Sequence, residues 1–146
     1  MKKEFVMRGQ TASGGTEVLN FSGYKPGYAY RMTEFQLYPS TGIQSEDIEM
    51  TATVTAGKTA VTPTDPNFND EGLIATSLFD QSDTATRSAG PLTVVNDTFL
   101  ITQNLILMVH ETGGTPVNWQ CRFEAIKMNN AEEAAANFKQ FSIFDG

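Results

Sequence analysis

The sequence predicts an all-β chain that folds as an antiparallel β-sandwich. Over residues 47–56, apolar residues at every even position alternate with a glutamate and three threonines. Successive side chains of a strand point to opposite faces, so this pattern indicates a strand with one buried face and one threonine-lined face toward water. A similar alternation runs over residues 117–128, and glycine and proline clusters separate the apolar segments. Short strands divided by such turn signals are typical of β-sandwiches.

Two strands change their apolar phase along their length. In 117–128, the apolar positions pass from odd to even numbers after Ala125, where Ile126 and Met128 follow. In 28–38, the phase changes around Thr33. An extra residue in one strand produces such a change, so we expect β-bulges near Ala125 and near Thr33.

Residues 105–109 are apolar at every position, which indicates a central strand or one covered by a partner. The connection that follows, 111–116, contains the pair Gly113-Gly114. A glycine pair between two strands is typical of a hairpin turn. We therefore expect 105–109 to pair antiparallel with 117–128.

The other elements complete the predicted domain. Weaker strands are expected at 16–22, 28–38, 72–80, 92–102 and 140–144, and a short helix begins where Asn130 and Glu133 form a capping box. Seven or eight short strands at this spacing predict a jelly-roll type of sandwich with one short C-terminal helix. Residues 1–15 are assigned to an N-terminal arm, with 8–15 flexible, and residues 16–146 to the single domain.

Charge and hydropathy exclude several partners. The 146-residue chain has 17 acidic and 10 basic residues, a net charge of −7, and no basic cluster beyond Lys2-Lys3. Proteins that bind phosphate backbones need the opposite balance, so no nucleic-acid partner is expected. No apolar run is long enough for a membrane span, and the charged start does not fit a signal peptide. We expect a chain made in the cytoplasm and not secreted.

The sequence offers no pattern for catalysis. His110 is the one histidine and Cys121 the one cysteine, and the latter shares an apolar face with Trp119. A nucleophile needs a base beside it, and catalytic zinc needs several ligands. The string 57–59 resembles the end of a phosphate-binding loop but has Ala52 where that motif requires glycine. We predict no enzyme activity and no cofactor.

One loop resembles half of a calcium-binding loop. It carries side-chain oxygens at Asp65, Asn67, Asn69, Asp70 and Glu71. Calcium loops of this kind have glycine at the sixth position and a glutamate at the twelfth, where this chain has Asp70 and Thr76. A weak surface cation site and ordinary turn chemistry are both open, and the turn interpretation is favoured.

Several aromatic residues lie in or near predicted loops. They are Tyr24, Tyr28, Tyr30, Tyr38 and Phe68. Exposed aromatics act as interface anchors or as platforms for stacking sugars, whereas in most proteins many simply pack in the core. Tyr24, Tyr28, Tyr30 and Phe68 are our interface candidates.

Four segments carry a resemblance to a known group of proteins. They are 9–16, 34–39, 94–104 and 117–119, with 94–104 reading VVNDTFLITQN. Together they resemble small jelly-roll virion proteins of marine bacteriophages. The resemblance implies a capsid decoration (cement) or minor capsid protein on the outer shell. It also implies a homo-oligomer, with a trimer favoured over a pentamer, and the major capsid protein as partner. The alternative is a carbohydrate- or receptor-binding module of a phage fibre.

Overall fold

Two antiparallel sheets form the molecule, which confirms the all-β sandwich. The computed structural model describes residues 3–21, 27–42, 47–57, 59–81, 92–129 and 135. Its strands are β1 (Lys3–Thr11), β2 (Thr16–Leu19), β3 (Tyr28–Pro39), β4 (Ile48–Thr55), β5 (Leu73–Gln81), β6 (Leu92–Val95), β7 (Leu105–Glu111) and β8 (Val117–Lys127). A three-stranded sheet has the order β1-β8-β3, and a five-stranded sheet has the order β2-β7-β4-β5-β6.

The core lies between the two sheets. Alternate residues of each strand point inward, so each sheet contributes one apolar face. The largest fully buried side chains are Phe35, Phe123, Met32, Met50, Ile74, Ile101, Leu105, Leu107, Val54, Val109 and Val117. Phe123 stacks on Phe5 at 5.5 Å between ring centroids and meets Phe21 edge-on at 5.1 Å. Burial of each such side chain contributes roughly 1.5–3 kcal/mol.

Strand β4 is confirmed, but its threonine-lined face is not open to water. Thr53 and Thr55 are both buried. The Thr53 hydroxyl donates to the Val61 carbonyl at 2.5 Å, and the Val61 N–H donates to the Thr55 hydroxyl at 3.1 Å. The segment after β4 folds back over this face, so the threonines bind backbone where the sequence predicted solvent.

The predicted hairpin between 105–109 and 117–128 is wrong. Strand β7 lies between β2 and β4 in the five-stranded sheet, whereas β8 lies in the other sheet between β1 and β3. The central position expected for 105–109 is confirmed. The glycine pair belongs to a connection that crosses from one sheet to the other. Gly114, with a φ of 87°, donates its N–H to the Glu111 carbonyl at 3.0 Å.

One of the two predicted bulges is present. The register between β3 and β8 shifts between Met32 and Glu34, which confirms the bulge near Thr33. The bulge near Ala125 is wrong, because the ladder continues without a shift through Ala125 to Lys127. Ile126 and Met128 are apolar for another reason. Together with Ala29 they form a second small cluster outside the main core.

The assignment of residues 8–15 to a flexible arm is also wrong. Strand β1 pairs with β8 along its whole length, from Lys3 opposite Ala125 to Thr11 opposite Val117. Phe5 and Met7 pack against the core while their strand neighbours face solvent. The turn after β1 is held as well, since the Gly14 N–H donates to the Val109 carbonyl at 2.9 Å.

The weaker strands appear with changed bounds. Strand β6 ends at Val95, short of the predicted 102, and Ile101 instead forms an isolated antiparallel bridge with Tyr30. The helix predicted from Asn130 and the strand predicted at 140–144 fall outside the described residues.

Gly9 tests the packing of β1 on β8. A Cβ atom at this position would lie 2.9 Å from Cζ2 of Trp119, which is closer than carbon atoms approach without displacement. We expect Gly9→Ala to lower the free energy of unfolding by about 1–3 kcal/mol, as overpacked sites do. Urea denaturation measures the change.

A double-mutant cycle with Trp119→Phe isolates this contact, because phenylalanine lacks the Cζ2 atom of the indole. Gly9→Ala should cost less in that background. An equal cost in both backgrounds would contradict the steric explanation.

Candidate functional site

The outer face of the three-stranded sheet contains a shallow concavity of about 620 Å³. Its lining consists of Arg8, Gly9, Gln36, Leu37, Tyr38, Asn118, Trp119 and Gln120. The register places Gln120 opposite both Arg8 and Gln36, and Asn118 opposite both Gln10 and Tyr38. Two rows of polar side chains therefore cross the sheet. We call the side chains of Arg8, Gln10, Gln36, Tyr38, Asn118 and Gln120 the amide face.

Hydrogen bonds fix part of the row formed by Gln10, Asn118 and Tyr38 and leave the row formed by Arg8, Gln120 and Gln36 open. The Gln10 side-chain amide donates to Oδ1 of Asn118 at 2.9 Å, and Nδ2 of Asn118 donates to the Pro39 carbonyl at 3.3 Å. Tyr38 is 58% exposed. Within the described ranges, the side chains of Arg8, Gln36 and Gln120 form no hydrogen bond or ion pair.

A buried bond supports this face from below. The Trp119 indole N–H donates to the Thr11 hydroxyl at 2.9 Å, and both residues are buried. This bond joins β8 to β1, the two strands that carry Asn118, Gln120 and Arg8. The strand positions of the polar groups are therefore set by a rigid part of the fold.

A different surface lies at the edge of the five-stranded sheet. Leu92 is 65% exposed and Val94 46% exposed on edge strand β6, and Phe68 beside them is 63% exposed. Leu92 is paired with Leu78, and Phe68 and Val94 line a groove of about 180 Å³. We call Phe68, Leu78, Leu92 and Val94 the β6 edge patch. It is an apolar surface at a sheet edge.

The predicted cation loop forms turns. Oδ1 of Asn67 accepts the N–H of Asn69 at 2.9 Å, and Oδ1 of Asp70 accepts the N–H of Gly72 at 2.9 Å. Asp65, Asn69 and Glu71 are exposed in the same loop. Across the described residues, no group of three or more histidine, cysteine, aspartate or glutamate side chains could hold a metal ion. These bonds are the turn chemistry that the sequence analysis favoured.

The structure separates the predicted interface aromatics. Tyr30 packs against Phe5 at 5.6 Å and Phe21 at 5.2 Å, next to the core. Tyr28 is half-buried in β3, and Tyr24 lies outside the described residues. Phe68 belongs to the β6 edge patch, whereas Tyr38 belongs to the amide face. The four aromatics that the structure describes therefore do not share one platform.

The two residues considered for chemistry sit in strands. Cys121 is completely buried in β8, and this burial raises the pKa of its thiol, as expected for a core cysteine. His110 lies in β7 opposite Thr51 of β4. In the part of the chain that the structure describes, neither belongs to a metal-binding group.

Glu111 organises the crossing between the sheets. Its carboxylate accepts the Thr115 N–H at 2.9 Å, and its backbone N–H donates to the Ser13 hydroxyl at 2.9 Å. Burial raises the pKa of Glu111, but hydrogen bonds from the backbone of Thr115, Gly113 and Gly114 outweigh this effect. The pKa is therefore lowered below its ordinary value.

Comparisons with known proteins add no relative. No protein-family model, curated protein or solved structure matches this chain. Among the described residues, no helix is long and apolar enough to cross a membrane.

Sequence reasoning missed most of the amide face. Gln36, Asn118 and Gln120 alternate with core residues, so their outward direction could be predicted from the period-two pattern. Arg8 and Gln10 fell in the segment assigned to a flexible arm. The sequence did not show which strands are neighbours. Only the pairing of β8 with both β1 and β3 brings these side chains together.

Glu111→Gln tests the electrostatics of the crossing. A carboxylate whose pKa is lowered by folding stabilises the fold above its unfolded pKa of about 4.3, and this contribution is lost as pH falls through the folded pKa. We expect the variant to be less stable than the parent by about 1–3 kcal/mol at neutral pH. The difference should shrink as the pH falls below the ordinary glutamate range.

Urea denaturation at several pH values measures this difference. Glu49→Gln, at an exposed position of the central strand β4, is the control and should have only a small effect on stability. A stability difference for Glu111→Gln that does not depend on pH would contradict the assigned role of the charge.

Proposed function

We propose that this chain is a structural virion protein of a bacteriophage. In this proposal it is a decoration (cement) or minor capsid protein that assembles by protein–protein contacts on the outer shell, and its sandwich is of the jelly-roll type. The observation that carries the proposal is the β6 edge patch. Strand pairing, charge and the resemblance of four sequence segments support it.

The strand pairing supports the jelly-roll type. Strand β1 pairs with β8, β2 with β7 and β4 with β5. The remaining nested pair would join β3 to β6, and the bridge between Tyr30 and Ile101 joins β3 to the segment just after β6. In a jelly roll, a long antiparallel ribbon is rolled into two sheets. Its first strand therefore pairs with the last, its second with the second-last, and so on.

The β6 edge patch favours assembly. An edge strand presents unpaired backbone N–H and C=O groups, and natural proteins usually protect such edges with charge, proline or a bulge. Here the described edge residues Leu92 and Val94 are apolar and exposed, with Phe68 beside them. Contiguous exposed apolar residues mark protein–protein contact sites. A neighbouring subunit would cover both the backbone edge and the apolar side chains.

In a closed ring, each subunit can cover the β6 edge of its neighbour, so no copy is left with this edge exposed. An interface between two different surfaces of the same chain closes under cyclic symmetry, and a threefold position of a shell accommodates a trimer. The net charge of −7 suits the outer side of the shell, away from packaged nucleic acid. The major capsid protein is the proposed partner beneath the ring.

Charge introduced into the β6 edge patch tests the proposal. The parent protein should be a trimer by light scattering coupled to size exclusion, and it should co-sediment with capsids of its cognate major capsid protein. The double variant Leu92→Glu/Val94→Glu should be a folded monomer, because burying two carboxylates in an interface is strongly unfavourable. Circular dichroism checks the fold.

Val6→Glu is the matched control. Val6 is 37% exposed on β1, in the three-stranded sheet. This variant should assemble like the parent. A pentamer would support the shell role at the vertices and overturn the trimer. A parent protein that is monomeric and does not co-sediment with capsids would overturn the whole proposal.

A further inference from the structure

The amide face is on the sheet opposite the β6 edge patch, so the proposed assembly does not account for it. It contains four side-chain amides, one phenol and one guanidinium, and all of these groups except the Gln10 amide line the concavity. None of the described residues that line this concavity has a carboxylate, although the chain as a whole has 17 acidic residues against 10 basic ones. The local chemistry therefore differs from that of the rest of the molecule.

Side-chain amides present a donor and an acceptor in one plane. Neighbouring hydroxyl groups of a sugar ring likewise both donate and accept, so an amide can bond two of them at once. Gln36 and Gln120 lie opposite each other in the β3–β8 ladder, and neither side chain has a hydrogen-bond partner within the described ranges. These amides are therefore available to bond a polyhydroxylated ligand directly.

An exposed aromatic ring stands beside the amides. Tyr38 is in the same β3 strand as Gln36, two residues further on, and is therefore on the same face of the sheet. The residue is 58% exposed. The C–H groups of a sugar ring pack well on such a flat aromatic surface, and the phenol remains free to hydrogen-bond. Stacking and amide hydrogen bonds are thus available within one concavity.

We propose that the amide face is a saccharide-binding site. Tyr38 stacks on a sugar ring, Gln36 and Gln120 bond its hydroxyl groups, and Arg8 bonds a hydroxyl or a carboxylate of the neighbouring sugar. The concavity of about 620 Å³ lies within the usual range of small-ligand sites. This proposal does not depend on the shell role, because it involves the other sheet.

The site is largely formed before a ligand arrives. Asn118 is held by Gln10 on one side and by the Pro39 carbonyl on the other. The strands beneath are joined by the bond between Trp119 and Thr11. Rigid placement reduces the entropy that binding must overcome, so modest contacts suffice for measurable affinity.

A glycan array of neutral and acidic oligosaccharides, followed by calorimetry with the best-bound one, tests the proposal. Tyr38→Ala should weaken per-site affinity roughly tenfold, and Gln120→Ala about fivefold. Both positions are on the outer face, and thermal unfolding should show that both variants fold. Tyr38→Phe should retain most of the affinity, because it keeps the ring.

Phe68→Ala is the matched control, since Phe68 is a similarly exposed aromatic that lies away from the amide face, in a turn before β5 beside Val94. Its per-site affinity should equal that of the parent, whatever its oligomeric state. Arg8→Gln separates the ligand types: a loss confined to acidic sugars assigns Arg8 to a carboxylate, and a loss for neutral sugars assigns it to hydroxyls.

Two results would overturn the proposal. One is an array on which no oligosaccharide binds. The other is binding that Tyr38→Ala and Gln120→Ala leave unchanged. Neither result bears on assembly, because the Leu92→Glu/Val94→Glu variant tests assembly through the molecular mass measured by light scattering.

Discussion

The fold depends on the position of β8 between the first strand and the third. Its nine paired positions with β1 and its longer ladder with β3 make the whole of the smaller sheet. The hydrogen bond from Trp119 to Thr11 lies inside this pairing, and the absence of a side chain at Gly9 leaves room for the indole. Removing β8 would leave two strands without a partner and one face of the core uncovered.

The same register determines the chemistry of the outer surface. Side chains alternate between the faces of a strand, so a slip of one residue would exchange every core residue of β8 with a polar one. Trp119, Cys121 and Phe123 fix the register through their burial. Asn118 and Gln120 are thereby directed outward. The apolar core thus sets the geometry of the amide face. The hydrogen bonds within the face would not be enough to fix it.

The sequence predicted single strands well and strand neighbours poorly. The alternation over 47–56 and the apolar run at 105–109 reflect burial of individual residues, and β4 and β7 lie where these patterns indicated. The hairpin prediction failed because the glycine pair at 113–114 is compatible with any tight connection. Glu111 directs this connection into the other sheet through contacts with Ser13, almost a hundred residues away in sequence.

The same local sequence pattern also had different physical causes at different positions. The phase change at Thr33 marks an extra residue, whereas the change at Ala125 marks a second apolar cluster around Met128. The segment of small polar residues at 8–15 looked flexible because its stabilising partners are in β8 and β7. Of the amide face, only Tyr38 was singled out from the sequence. The other members required knowledge of the sheet order.

Pairing of β1 with β8 also constrains the order in which the chain folds. Thr11 and Trp119 are 108 residues apart, so β1 leaves the ribosome long before its partner is synthesised. Contacts between distant residues slow folding because the intervening chain must first be ordered. The five-stranded sheet can begin to form while β1 waits with Phe5 and Met7 unpaired. The smaller sheet cannot close until β8 has been synthesised, so the apolar face of β1 stays uncovered on the nascent chain until then.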